Sequence, residues 1–533
     1  MNTQSTRVLI YDTTLRDGTQ AEGVSLSLED KLMIAERLDQ LGVDYIEGGY
    51  PLSNPKDRAF FEDVRKRGIG HAKIAAFGMT RRKKLQADQD EGMQALLGSE
   101  APVVTIVGKA WDMHVRDVLN VSFQENLDMI ADSVGLMARH GRETIYDAEH
   151  FFDGWRANPD YAMQTLHAAA GAGAVCLCLC DTNGGSLPGQ ITQAVAAVRQ
   201  ALPDIQLGIH CHNDSGLAVA NSLAAVEAGA THVQGTINGI GERCGNADLT
   251  TVVANLVLKL GRTCLKGDTL AKLTDASRFV YEVANLALRE NQPYVGMAAF
   301  AHKGGMHVHA VRRNTASYEH IDPALVGNAR RILISELAGA SNVAAKAGQK
   351  FNFGGDRNLQ RKVLTAVQEL ENDGYQFEAA EASFELVTRR ILGGQWYRSF
   401  WELDHYRCVI LQSNGGKTAT EASVKLKLGD AIAHTVAEGD GPVNALDAAL
   451  RKALREHYPS IDVLELIDYK VRVVNPKAGT AAKVRVVIGF HDKNVGYFGT
   501  VGVDENIIHA SWRALVDAIE YKLLNEAEKT VNP

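Results

Sequence analysis

The chain has 533 residues, 45% of them hydrophobic and 23% charged, which is ordinary globular usage and excludes a disordered, collagen-like or membrane-embedded polypeptide. Its formal net charge of −8 offers no basic field for a phosphate backbone, so nucleic acid is not an expected partner. No apolar run approaches the roughly 18 to 20 residues that span a bilayer, and Met1 to Arg7 lacks the apolar stretch of a signal peptide, so a cytoplasmic location without membrane association is expected.

From Arg7 to Gly261 one phrase recurs: a short β-branched or apolar run, a polar turn, then a helical pattern. The predicted strands are Val8 to Tyr11, Tyr45 to Gly48, Lys73 to Phe77, Val103 to Val107, Glu143 to Tyr146, Val175 to Cys180, Gln206 to His210 and His232 to Thr236. After the first of them comes a marked helix. Ser27 is placed to cap it, Glu29 and Asp30 suit its positive N-terminus, and Leu32, Ala35, Leu38 and Leu41 recur at helical spacing. Eight strand–helix units over this length predict an α/β fold, a TIM (β/α)8 barrel, ahead of an open doubly wound sheet, because the segment after the first strand, Asp12 to Gly18, is not a glycine-rich phosphate loop.

Further along, Thr269 to Asn291 and Asn358 to Gly393 read as helices, with glycine breaks at Gly304-Gly305 and Gly354-Gly355. A helical linker and lid region is expected there. From about Tyr406 the texture becomes alternating strands, and the run Ala422 to Leu428 parallels Ala482 to Ile488. Each run is followed by a Thr-Val pair, Thr435-Val436 and Thr500-Val501, and then by a helix, Val443 to Arg455 and Ile508 to Leu523. The expected domains are therefore 1–265, the barrel; 266–400, the linker and lid; and 401–533, an α+β domain of two strand–strand–helix repeats suited to effector binding or to dimer formation.

Reactive groups of a parallel barrel gather at the C-terminal ends of its strands. Those ends carry Arg16-Asp17, Glu149-His150, Asp181-Thr182-Asn183, His210-Cys211-His212 and, after the last strand, Gly241 to Asn246. His210 and His212 are two apart on a strand, so their imidazoles share a face. With the carboxylate of Asp17 and the amide oxygen of Asn246 they make a mixed nitrogen and oxygen donor set for a divalent cation that leaves positions open to substrate. Arg16 beside Asp17 offers fixed positive charge for an enolate or alkoxide. Three histidines, His302, His307 and His309, lie in a glycine-rich segment beyond the barrel with Tyr318 nearby, and any of them is a candidate acid or base. The seven cysteines suit reduced thiols, and Cys176, Cys178 and Cys180, about 6.6 Å apart along one strand face, suit burial more than metal binding.

Thr13 to Gln20, His210 to Asp214 and Gly239 to Asn246 together resemble the acyl-CoA Claisen condensing family, which holds 2-isopropylmalate, homocitrate and citramalate synthases. Gln20 to Ser27, Tyr45 to Pro51 and Phe300 to His307 most resemble its citramalate synthase type. The resemblance implies a metal-dependent acyltransferase that condenses acetyl-CoA with pyruvate at the start of a pyruvate-derived route to isoleucine. It implies Asp17, His210, His212 and Asn246 as ligands of Mg, Mn or Zn, Arg16, Asp17, Glu149 and Thr182 around the keto acid, and His307 and Tyr318 as the catalytic pair of a lid. It further implies a homodimer with isoleucine as effector at the C-terminal domain. One departure is His150, where the family often has an acidic residue. Rival readings are a synthase for a larger 2-oxo acid, an acyl-CoA lyase and a non-catalytic amino-acid-sensing barrel; the lyase does not need the repeated C-terminal domain, and the sensor is expected to have lost a ligand.

Overall fold

The computed structural model describes residues 7–302, 305–332, 351, 356–377, 380–412, 418–474, 476–492 and 495–531. They divide into two compact units, one of residues up to 300 together with 321–330, the other of 301–320 and 331 onward.

The first unit is built on a closed eight-stranded parallel barrel with strands in chain order: β1 (Leu9–Asp12), β2 (Tyr45–Gly49), β3 (Lys73–Met79), β4 (Val103–Lys109), β5 (Glu143–Glu149), β6 (Cys176–Asp181), β7 (Gln206–Cys211) and β8 (His232–Gly235). β1 closes the barrel by pairing with both β2 and β8. Several strands run past their expected ends by two or three residues, because polar residues such as Asp147 and Glu149 interrupt an apolar pattern without interrupting the ladder. The helix Leu28–Leu41 begins as expected: the Ser27 side chain accepts from the Asp30 amide, Asp30 accepts from the Ser27 amide, and Gly42 closes the far end at φ 93°.

Residue alternation separates two cores. Outward positions such as Ile10, Ile46, Val104 and Ile209 pack against the helices, whereas Tyr11, Tyr45, Ala75, Val103, Ile145, Cys176, Cys178 and Cys180 fill the barrel interior. The expected helix from Thr269 to Asn291 is shorter, Leu273–Val283, because Asn285 adopts the left-handed conformation at φ 53° and its amide and that of Leu286 bond back to Glu282 and Tyr281. Among the described residues no helix is long and apolar enough to cross a membrane.

In the second unit a short parallel pair, β9 (Ala301–His302) and β10 (Arg331–Ile332), accompanies the helix Gly305–Arg313. The expected breaks at Gly304 and at Gly354-Gly355 lie outside the described residues. The expected helix from Asn358 to Gly393 is two helices, Arg357–Asn372 and Glu381–Leu392, since Gly374 at φ 109° ends the first.

Two antiparallel sheets follow, β11 (Glu402–Leu411), β12 (Ala419–Leu428) and β13 (Ala431–Gly439), then β14 (Glu465–Val473), β15 (Val484–Asp492) and β16 (Gly496–Asp504). Each is followed by a helix, Pro442–Leu454 or Ile507–Val531. Each repeat is therefore strand–strand–strand–helix and not strand–strand–helix, the leading strand having been hidden by its mostly exposed residues. The copies correspond closely. Register shifts fall between Leu403 and His405 and between Leu466 and Asp468. Thr435 Oγ1 donates to Ala449 O at 2.7 Å, and Thr500 Oγ1 to Ala514 O at 2.8 Å. These anchors pair Val424 with Thr435 and Ile488 with Thr500, so Val424 corresponds to Ile488, four residues beyond the Val484 that the repeated run suggests. An even shift preserves the facing pattern, which is why alternation alone did not fix it.

Candidate active site

Along the barrel interior the inward positions change from apolar to polar toward the C-terminal ends of the strands. On β7 they run Gly208, His210 and, just beyond the strand, His212; on β5, Ile145, Asp147 and Glu149; on β2, Tyr45 and Glu47. The loop after β1 brings Asp17 to this rim. Its Oδ2 stands 3.3 Å from His210 Nε2, 3.9 Å from His212 Nε2 and 3.3 Å from an Arg16 guanidinium nitrogen. Ligand atoms of Asp17, His210 and His212 all lie within 4.8 Å of one another, and all three residues are buried.

The fourth predicted residue, Asn246, forms an isolated antiparallel bridge with His212, which sets the two side by side on the rim. The glycines of its loop are needed there. A Cβ on Gly241 would stand 2.2 Å from Asn246 Nδ2, and Gly245, at φ 88°, would bring one 2.0 Å from Gly239 O. Asn246 Nδ2 donates to Ile240 O at 3.3 Å, which turns Oδ1 away as the free acceptor.

Among the described residues, Asp17 Oδ1, His212 Nδ1 and Asn246 Oδ1 are buried with no hydrogen-bond partner. Unpaired buried acceptors on this scale are costly, and a carboxylate oxygen and an amide oxygen beside two imidazoles form a donor set that fits a divalent cation.

The electrostatics follow from this crowding. Burial acts against the Asp17 anion, but Arg16, His210 and His212 outweigh it and hold the carboxyl well below the usual range. Burial likewise pulls His210 down, yet the bond and charge of Asp17 carry it above an ordinary imidazole. His212, buried and beside His210, is lowered to about 4 and stays a neutral donor.

Arg16 is held from below by residues that pattern reading of the sequence missed. Its Nε donates to Glu47 Oε2 at 2.6 Å, the Tyr11 hydroxyl donates to Glu47 Oε1 at 2.7 Å and lies 2.8 Å from Thr105 Oγ1, and Thr13 also donates to Glu47. The guanidinium lies 3.9 Å from the centroid of the Phe77 ring. The signal that could have revealed Glu47 is a charged residue at an inward position of an otherwise buried strand, Tyr45–Gly49.

Glu149 ends β5 and is ion-paired with its cross-strand neighbour Lys109. Thr182 follows β6, and its Oγ1 accepts from the His150 amide at 2.8 Å. The departure at His150 is a structured one: φ is 57°, Nδ1 lies 3.1 Å from Asp153 Oδ2, and its ring meets that of His114 edge-on at 4.3 Å. His307 and Tyr318 belong to the second unit, where their rings stack at 4.1 Å. His302 instead pairs with Glu319 at 3.0 Å.

All seven cysteines are free. The thiols of Cys178 and Cys180 and the Asp147 carboxylate approach within 4.8 Å, closer than the strand repeat alone implies, because the Cys180 side chain leans back toward the Cys178 carbonyl at 3.7 Å. Burial pushes Cys178 well up, and Cys180 stands at about 11 with its bond to Cys178 pulling against burial, so both are neutral thiols.

Residues 7–280 match the model of the HMGL-like family, 294–374 the homocitrate synthase post-HMGL domain-like model, and 378–523 the LeuA allosteric (dimerisation) domain. The chain is 52% identical over 524 residues to the (R)-citramalate synthase of Geobacter sulfurreducens, covering 98% of each, and 50% identical over 528 residues to that of Aquifex aeolicus, covering 98% of this chain and 99% of that one. To the 2-isopropylmalate synthase of Methanocaldococcus jannaschii it is 32% identical over 528 residues, covering 98% and 96%. A barrel whose rim gathers these donors, matched along nearly its whole length, belongs to the HMGL-like family as a condensing, acyl-transferring synthase of the citramalate synthase group.

Proposed function

We propose that the chain is an (R)-citramalate synthase, joining acetyl-CoA to pyruvate with water to release citramalate and CoA, at the start of a pyruvate-derived route to isoleucine. The observation that carries this reading is the gap in likeness, 52% and 50% identity to citramalate synthases against 32% to a 2-isopropylmalate synthase, over comparable lengths.

In this reading Asp17, His210, His212 and Asn246 hold a divalent cation, Mg, Mn or Zn. When bound, it supplies Lewis acidity toward the keto group of pyruvate. Arg16, locked by Glu47, meets the substrate carboxylate and the charge that develops on the keto oxygen. Thr182 and Glu149 border the keto acid. His307, with help from Glu149, is the proposed base that takes a methyl proton from acetyl-CoA, Tyr318 being the other proposed catalytic residue; the resulting carbanion attacks the keto carbon to form the new carbon–carbon bond, and the keto oxygen takes up a proton. Water then cleaves the thioester, which gives the free acid and CoA and makes the sequence effectively irreversible.

The test is thiol release from acetyl-CoA with a panel of 2-oxo acids. Pyruvate is expected to give the highest kcat/KM; preference for 2-oxoisovalerate or 2-oxoglutarate would overturn the assignment.

The C-terminal repeat is proposed to join two copies into a homodimer and to take isoleucine as effector, on the support of its match to the LeuA allosteric (dimerisation) domain. Ile410, Leu411, Ile432 and Tyr497 on its sheets are each more than half exposed, apolar side chains of the kind a second copy would cover. Ile432→Asp is expected to shift sedimentation from dimer to monomer. An unchanged dimer would place the interface elsewhere, and thiol release insensitive to isoleucine would remove the effector.

A further inference from the structure

One buried side chain of β8 joins the predicted cation ligands to the far wall of the barrel. Gln234 Oε1 lies 2.8 Å from His210 Nδ1, and Gln234 Nε2 donates to Asp147 Oδ1 at 2.9 Å, across the interior from β8 to β5. Gln234 is fully buried, and Asp147 and His210 are nearly so.

The two ends of a primary amide differ, and that difference carries information. Gln234 spends its NH2 end on Asp147, to which Nε2 donates, and so turns its oxygen toward His210. An oxygen in that position accepts only, so Nδ1 of His210 must carry the proton. The lone pair of the neutral ring is then on Nε2, the nitrogen that stands 3.3 Å from Asp17 Oδ2. His212 has no such support among the described residues, where its Nδ1 is buried without a partner. The two histidines of one motif are therefore oriented differently, one by a hydrogen-bonded chain through the barrel and the other by packing and by its backbone bridge to Asn246.

We infer that Gln234, itself oriented by Asp147, is a positioning residue that fixes His210 in the Nδ1–H tautomer and so presents Nε2 to the cation. The inference rests on the proposed role of Asp17, His210, His212 and Asn246 as ligands. Support of this kind to a ligating histidine typically changes metal affinity by about 10- to 100-fold.

The experiment measures Mn2+ affinity of the full-length protein by calorimetry for wild type, Gln234→Leu and Gln234→Glu, with melting temperature recorded alongside. Leucine removes the acceptor, and affinity is expected to fall about 10- to 100-fold. A glutamate keeps an acceptor toward His210 and, protonated on its other oxygen, still donates to Asp147, so its affinity is expected to stay near wild type. A merely structural role would make affinity follow melting temperature across the three proteins. The nitrogen NMR signals of His210 in Zn2+-loaded wild type give a readout that needs no variant, with a proton expected on Nδ1.

Wild-type affinity in Gln234→Leu, equal losses in the leucine and glutamate variants, or a proton on Nε2 would each overturn the inference. Failure of wild type itself to bind Mn2+ would instead sink the underlying reading of the ligands.

Discussion

Asp17→Asn is expected to give a folded protein whose thiol release from acetyl-CoA and pyruvate falls by at least about 10²- to 10³-fold, the scale of losing one preorganised electrostatic contact at a reacting centre. The geometry makes this residue the pivot of the rim. One of its oxygens faces His210, His212 and Arg16 together, and the other is buried with no partner. Asparagine keeps the shape but removes the carboxylate charge that faces all three nitrogen groups at once, and with it the charge that draws a cation in. The same substitution is expected to lower Mn2+ affinity, so calorimetry and the rate assay must move together. Near-normal turnover with weakened Mn2+ binding would separate the cation from the chemistry.

Glu47→Leu is the expected largest loss of stability in the barrel. Glu47 is fully buried and accepts from Tyr11, Thr13 and Arg16 at once. Burial alone would lower the Arg16 guanidinium, but Glu47 and Asp17 hold it firmly charged. Removing one partner of such a pair leaves a charge without its counter-charge, which costs about 3–5 kcal/mol, far more than the pair itself contributes relative to apolar packing. The Tyr11 hydroxyl retains only Thr105. Glu47→Gln keeps the volume and one acceptor and is expected to lose roughly half as much, as for a hydrogen bond to a charged group. Urea midpoints of the three proteins check this. A leucine variant with wild-type stability and turnover would show that Arg16 is positioned by the Phe77 ring and Asp17 alone.

Much of this architecture is legible in the amino-acid order, and the misses have physical causes. Eight parallel strands follow from repeated strand–helix phrases because each crossover must bury one helix face against the sheet. Helix lengths were overread where a single backbone conformation stops the helix, at Asn285 and Gly374, since neither residue disturbs the apolar period around it. The repeat in the second unit was visible, but its register needed the Thr435 and Thr500 anchors, whose bonds to the following helices exist only in the folded domain.

The same division holds at the site. Asp17, His210, His212 and Asn246 stand in compact motifs at strand ends, where chemistry is expected, and the structure gathers the first three and sets Asn246 beside His212. Glu47, Asp147 and Gln234 lie inside strands, and their meaning depends on closure of the barrel. Tyr11 meets Thr105 from 94 residues away, and Gln234 meets Asp147 from 87. No local pattern encodes such cross-barrel partners; they follow only once alternation is combined with eight strands closing on themselves.

In the proposed mechanism the buried Asp17, His210, His212 and Asn246 act by holding a divalent cation. The decisive experiment strips the full-length protein with chelator, assays thiol release from acetyl-CoA and pyruvate, and adds back Mn2+ in measured equivalents. Activity is predicted to vanish on stripping and to return in full with about one equivalent per chain, whereas full turnover in protein shown to be free of metal would contradict it.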